Sequence, residues 1–483
     1  MPQRKPISPL VHQDVGTTFL RDNDRAALFD EQGLGKSKQL IDALTAEIGV
    51  GHLQGGLIIC PNGLKSNWAG EVEKFSTLPY AVFGSGRSAR RVAFQSLRAG
   101  FYIINYEAID SELPSLKALL RFKPMALVLD ESHRIKSPGA KTTRAVLALR
   151  SYAARRYILT GTPIANKPDD LWSQMYFLDD GLSLGATFEE FQSTYGSAAG
   201  GYRNMEQLRE RVAANSLRRT KAQALTLPHK VYRRVGIQLT GRQGQMYEQL
   251  RRELEIWVRD LNGDQVLETA DAILARMVRL AQLASNPSLI DGAYSETPAK
   301  FAVLDELLTE YFHRNKTQKV ILWTSFVENI RALKNRYEQW HPVEIHGDVN
   351  NSERDAAVCA FCEDPATRLL IANPAAAREG LTLTEANVAI YLDRTFNLVD
   401  YLQSQDRIHR ISQTRECEIV LLIARQTVDE FVDFSLEQKR RLAGYVQADT
   451  DAVDDDDLQL RKPDVLRALL GPEDLTARAE AID

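Results

Sequence analysis

Short apolar runs recur along this chain, each closed by polar residues, Gly or Pro. In the first part they fall at residues 56–61, 101–105, 125–130 and 157–160. Amphipathic stretches at helical spacing separate them, as at 36–48 and 141–149. An apolar strand followed by a helix, repeated, predicts a parallel sheet covered on both faces. The pattern returns at 320–323, 369–372, 388–392 and 418–423, with a helical stretch at 352–362. The fold class expected is therefore α/β, with two separate parallel-sheet units.

Between the two units the texture changes. Residues 188–217, 240–261 and 268–283 read as helices rich in Arg, Glu, Gln and Leu. The expected organisation is a first lobe over 1–180, a helical insert over 181–298, a second lobe over 299–446 and a C-terminal tail over 447–483. The tail carries an acid run at 454–457. A solvated linker and a DNA-mimicking regulatory segment are both open readings of it.

Composition narrows the picture. With 483 residues the chain is too long for one core, and two or three domains are expected. Apolar residues at 44% and charged residues at 26% are ordinary for a globular protein. The net charge of −4 means that a surface for a polyanion must be a local basic patch. Four cysteines do not make a disulfide framework. Cys359 and Cys362 read C-x-x-C, but no second Cys/His pair lies at ligand spacing, so they are expected on one face of a helix in a reducing compartment. No stretch reads as a signal h-region or a membrane span, so a cytoplasmic location without membrane attachment is expected.

Two segments carry chemistry. Asp30-Glu31-Gln32-Gly33-Leu34-Gly35-Lys36-Ser37 precedes a predicted helix. Gly33 and Gly35 allow a tight turn with amides aimed at phosphate oxygens, and the helix dipole favours the same anion. Lys36 is placed to contact the β- and γ-phosphates, and Ser37 to ligate Mg²⁺. The full pattern G-x-x-x-x-G-K-[ST] is not met, because Asp30 stands where the first Gly belongs. The second segment is Asp130-Glu131-Ser132-His133, after the apolar run 126–129. It sets Asp130 at the carboxyl edge of a sheet to hold Mg²⁺ through water, and Glu131 to orient and deprotonate an attacking water. ATP and Mg²⁺ are the cofactors expected.

These residues resemble motif I and the D-E-A-H box of the Swi/Snf-like ATPases, a branch of the superfamily-two helicases. Motif I there reads D-E-x-G-L-G-K-[ST], so a missing first glycine is normal, and Ser132 stands for Ala. The resemblance implies two RecA-like lobes. Thr160-Gly161-Thr162-Pro163-Ile164-Ala165-Asn166 resembles motif III, which implies that Thr160 and Thr162 couple ATP state to lobe movement. Gln13, after His12, matches the Q motif loosely and is a candidate adenine contact. Leu217-Arg218-Arg219-Thr220-Lys221, with Leu227-Pro228-His229-Lys230, resembles a segment characteristic of this branch and not of RNA helicases. The stretch 281–290, followed by Pro298-Ala299-Lys300, resembles the entry to the second lobe. Gln403-Ser404-Gln405-Asp406-Arg407-Ile408-His409-Arg410-Ile411-Ser412-Gln413 resembles motif VI. The resemblance implies that Gln403 is a further coupling residue. Arg407 and Arg410, one helical turn apart, are expected to share a face that meets the γ-phosphate held on the other lobe.

A motor on DNA must hold phosphates without reading bases. Loops after strands supply the candidates. Lys65 lies in a segment resembling motif Ia, where Trp68 is read as a core aromatic. Asn105 lies in Asn105-Tyr106-Glu107, and Thr324 and Ser325 resemble motif IV. Arg378 sits in a segment resembling motif V, where Arg378 and Glu379 replace the usual small residues. The resemblance implies a DNA-dependent ATPase that translocates on double-stranded DNA without true strand separation. It is expected to be a monomer in repair, recombination or defence, of bacterial or viral origin and nucleoid-associated, with a recruiting protein left open. An RNA helicase and an ATP-degenerate scaffold are the competing readings.

Overall fold

The computed structural model describes residues 8–84, 100–197, 201–259, 270–376 and 381–449. They divide into two compact units. The first holds 8–226 together with 439–449, and the second is Leu227–Gln438. The motif V residues Arg378, Glu379 and Gly380, and the acid run 454–457, lie outside the described residues.

The first unit contains a seven-stranded sheet in the order β3-β4-β2-β5-β6-β1-β7. Its strands are β1 Arg25–Leu28, β2 Gly55–Cys60, β3 Tyr80–Val82, β4 Gly100–Asn105, β5 Met125–Asp130, β6 Arg155–Leu159 and β7 Ser216–Leu217. Every pairing is parallel. β2 and β5 are buried almost throughout, as strands covered on both faces must be. Helix Lys36–Gly49 lays Leu40, Ile41 and Leu44, all fully buried, on the sheet. Each such side chain contributes about 1.5–3 kcal/mol through its burial.

The second unit repeats the plan with six parallel strands in the order β10-β11-β9-β12-β13-β8. These are β8 Lys230–Ile237, β9 Val320–Trp323, β10 Val343–Ile345, β11 Leu369–Ala372, β12 Val388–Tyr391 and β13 Cys417–Ala424. Alternate residues enter two apolar layers. Leu322, Ile371 and Ile390 pack on one face, and Ile321, Leu370 and Ala389 on the other. This is the α/β pair of parallel sheets that the alternation of strands and helices implied.

The segment 181–298 is helical in texture, as expected, but it is not a body of its own. Helices Phe188–Tyr195 and Met205–Ala213 belong to the first unit, and Gly241–Arg259 and Ala270–Ser285 to the second. Two strands inside it, β7 and β8, extend the two sheets. A helix with one apolar stripe needs a partner surface, and each sheet offers one. The cysteine pair lies on helix Asn351–Glu363, with Cys359 exposed and Cys362 partly covered. Among the described residues no helix is long and apolar enough to cross a membrane.

Candidate functional site

Three neighbouring strands of the first sheet set the site. In register across β5, β6 and β1 stand Asp130, Leu159 and Leu28. The loops leaving these strands therefore emerge at one carboxyl edge, where open α/β sheets bind ligands. After β1 comes the glycine loop, after β5 the acid pair, and after β6 Thr160 and Thr162.

The loop after β1 passes Gly33 and Gly35 at φ of 91° and 77°, a region that glycine alone adopts without strain. Gly35 caps helix Lys36–Gly49, and a Cβ there would run into the Gln13 amide. Gln13 donates to the Leu34 carbonyl and accepts from the Leu10 amide, so it lies against the loop. His12 bonds the same Leu34 carbonyl. Lys36 Nζ turns back onto the Asp30 carbonyl at 2.7 Å, and desolvation lowers its pKa. Ser37 is the second residue of the helix, on the same turn as Lys36.

The acid pair is held from several sides. Trp68 Nε1 donates to Asp130 Oδ2 at 2.8 Å, and the Glu131 amide donates to Oδ1 at 3.0 Å. Tyr106 donates its hydroxyl to the Asp130 carbonyl. Burial and then the neighbouring Glu131 charge push the Asp130 carboxyl above the usual carboxylate range. Glu131 has φ 52° and ψ 52°, a left-handed conformation uncommon outside glycine. Its carboxylate accepts from Thr160 Oγ1 at 3.4 Å and faces His133 Nδ1 at 3.4 Å. Thr160 also accepts from the Thr162 amide, so the threonine loop and the acid pair are one bonded network. The Ser132 hydroxyl meets buried Gln174, which donates to the Pro163 and Asp170 carbonyls. Gln174 and the Trp68 bond were not evident from sequence, and the indole nitrogen of a core Trp was their nearest signal.

The residues present fit a phosphorylated nucleotide with Mg²⁺. The hydroxyl and carboxylate oxygens of Ser37 and Asp130 are the hard donors that Mg²⁺ prefers. Gln32 Oε1 and Thr162 Oγ1 are buried beside the loop, with no hydrogen-bond partner among the described residues.

The second unit corrects two expectations. Helix Leu398–Gln405 ends before Arg407, so Arg407 and Arg410 do not share a helical face. The Asp406 carbonyl instead accepts from Arg410 Nε, and the chain turns. Arg407 is fully buried, donating to the Gln403 and Leu381 carbonyls. Arg410 is partly exposed and also donates to Thr382. Gln403 is itself buried and receives Arg407 on its carbonyl. Thr324, expected at a DNA surface, is fully buried, and its hydroxyl donates to Asp393 at 2.7 Å. Ser285 and the Ser325 amide donate to the same carboxylate, so Thr324 belongs to a buried network.

Ser325 stays partly exposed at the strand edge. It lines a cavity of about 250 Å³ with Asn373, Arg394 and Tyr401. Lys65 is partly exposed with Nζ on the Phe83 carbonyl, and Asn105 bonds Glu107.

A phosphate-type glycine loop, an acid pair and a threonine loop on adjacent parallel strand ends define a helicase-class nucleotide-using core. The sequence comparisons specify the family. The SNF2-related domain model matches residues 12–289, more than half of the chain, and the helicase conserved C-terminal domain matches 299–412. The chain belongs to the SNF2-related family, an ATPase family. It is 28% identical over 440 residues to chromodomain-helicase-DNA-binding protein 1-like of Mus musculus, covering 87% of this chain and 47% of that one. It is 28% identical over 441 residues to the putative ATP-dependent helicase/translocase YwqA of Bacillus subtilis, covering 88% and 47%. The chain thus spans about half the length of these curated relatives. The solved SWI2/SNF2 ATPase core of Sulfolobus solfataricus in complex with dsDNA is 27% identical, with coverage of 96% and 99% and a TM-score of 0.43.

Proposed function

We propose that this chain is the motor core of an ATP-driven translocase on double-stranded DNA that remodels protein–DNA or branched-DNA structures. The observation that carries the reading is the convergence of the glycine loop, the Asp130–Glu131 pair and Thr160 at one sheet edge. The names of the relatives, a DNA-binding helicase and a helicase/translocase, agree with it.

In this reading Lys36 and the amides around Gly33 and Gly35 hold the β- and γ-phosphates, and Gln13 meets the adenine. Ser37 and Asp130 hold Mg²⁺, which neutralises phosphate charge when bound. Glu131 takes the proton of the attacking water, and its left-handed backbone aims the carboxylate back across the strand end towards Thr160. Thr160, Thr162 and Gln403 relay nucleotide state. Arg410 stabilises charge on the transferred phosphoryl group, and Arg407 holds the turn that carries it. Lys65, Asn105, Ser325 and Arg378 contact DNA phosphates. The function is served by a monomer in the cytoplasm, in repair, recombination or defence.

The test is ATP hydrolysis by wild-type and Glu131→Gln protein, alone and with duplex DNA, single-stranded DNA or RNA. Stimulation by duplex DNA, reduced about 10²–10⁴-fold in Glu131→Gln, is expected. Stimulation by RNA alone would overturn the substrate, and no hydrolysis with any polymer would overturn the motor.

A further inference from the structure

The family pattern accepts Asp30 where other phosphate loops carry glycine, and the structure gives that side chain a partner far away in sequence. Asp30 is fully buried. Arg219 spans it with both arms of its guanidinium, Nε to Oδ1 at 2.9 Å and Nη2 to Oδ2. The same guanidinium donates to the His12 carbonyl and to Gln39 Oε1, and the Gln39 amide returns to Asp30 Oδ2 at 3.1 Å. Gln39 also donates to the Leu34 carbonyl inside the loop. One planar cation thus ties the start of the loop, the helix after it and the helix carrying Gln13.

The backbone runs alongside. The Ala27, Phe29 and Glu31 amides donate in turn to the Asn215, Leu217 and Arg219 carbonyls. β1 therefore continues, paired, into the first residues of the loop. Beyond Arg219, the Lys221 amide donates to the Glu31 carboxylate at 2.7 Å, and the Lys221 side chain crosses over Gly33. Residues 215–221 thus run along 27–31 and reach Gly33.

We propose that Arg219 is a positioning residue for nucleotide binding, holding the phosphate loop open through Asp30 in the shape that receives phosphates. The inference rests on the reading of this loop as a nucleotide site. A glycine loop is soft by composition, and each fixed residue removes backbone freedom that a ligand would otherwise have to freeze. A bidentate guanidinium–carboxylate pair fixes direction as well as distance, which lysine cannot do.

The experiment measures ADP affinity by calorimetry, KM and kcat for ATP, and the melting temperature without nucleotide. The variants are Arg219→Lys and the apolar double exchange Asp30→Leu with Arg219→Met. The double exchange removes both buried charges together, which proteins often tolerate. Both are expected to melt near wild type, to bind ADP about tenfold more weakly, and to raise KM far more than they lower kcat. Wild-type ADP affinity in Arg219→Lys would overturn the proposal. So would failure of both variants to fold, which would assign the pair to fold stability. A wild-type chain that bound no ADP would bring down the nucleotide reading itself.

Discussion

Trp68→Phe isolates one hydrogen bond in the candidate metal site. The Trp68 indole is 1% exposed, packs in the first unit's core and donates to Asp130 Oδ2 at 2.8 Å. Phe keeps most of the apolar volume and removes the donor. A hydrogen bond to a charged acceptor contributes about 1.5–3 kcal/mol, and the lost ring volume costs about 1–2 kcal/mol in stability. Asp130 would keep only the Glu131 amide on Oδ1, so the carboxylate gains freedom to turn. Its protonated form, already favoured by burial, gains further ground against a cation. A loss of about 1.4 kcal/mol in cation binding corresponds to tenfold. The assay is ADP affinity with and without Mg²⁺. Wild type should gain affinity on adding Mg²⁺, and Trp68→Phe should lose about tenfold of that gain. Val72→Ala, on the same helix and in the same core, is the packing control. It should lower stability by about 2 kcal/mol and leave the Mg²⁺ gain intact. An unchanged gain in Trp68→Phe, or an equal loss in Val72→Ala, would refute the reasoning.

Arg407→Ala should destabilise the second unit by about 3 kcal/mol, since it removes the donor to the buried Gln403 and part-buried Leu381 carbonyls and opens a cavity. Arg410→Ala should melt near wild type yet lose about 10³-fold in DNA-stimulated kcat; full turnover in Arg410→Ala would remove it from the chemistry. Thr324→Val should lower chemical-denaturation stability by about 1–2 kcal/mol through its lost bond to Asp393, with duplex affinity in a filter-binding titration unchanged. Asp180, held down to about 2 by Arg156 and then Arg150, should contribute about 1 kcal/mol once its solvent screening is allowed for. Its folded pKa lies below its unfolded one, so the contribution is present above about pH 4 and is lost as pH falls through about 2. Thermal melts of wild type and Asp180→Asn should differ at pH 7 and converge near pH 2.

The interior of both sheets was legible because strands covered on two faces must be apolar without interruption. β2, β5, β9 and β11 are such runs, and their observed ends differ from the expected ones by a residue or less. The strands that escaped notice are mostly edges. Among the described residues β8 pairs only with β13, and most of its residues are half-open or exposed, so Lys230–Ile237 carries two arginines and no apolar run. β7 has two residues and β3 three. β1 is interior but short, and its burial is met by two alanines and a leucine. The same physics explains why 181–298 read as one insert: amphipathic helices declare that they need a surface and not which one.

The candidate site divides along a different line. Its phosphate loop, acid pair and threonine loop were legible because each needs several groups within a few bonds of one another, which fixes their order in sequence. The bonds that hold them to one another join residues remote in the chain, Arg219 to Asp30 across 189 positions and Trp68 to Asp130 across 62. No local pattern encodes such a pairing, so Asp30 read as a departure from a motif and Trp68 as filler. The site also keeps features that a fold alone would not select: Glu131 in a left-handed conformation, and Gln32 and Thr162 with buried oxygens lacking partners among the described residues. Strain of this kind costs roughly 1–3 kcal/mol for the backbone and a similar amount for each unmet polar group. It persists only because two-sided burial of the strands around it overdetermines the position of every loop at that edge. On the proposed reading, the bonds of 215–221 to the glycine loop and the left-handed Glu131 are complementary: one would hold the loop in shape and the other would aim the carboxylate.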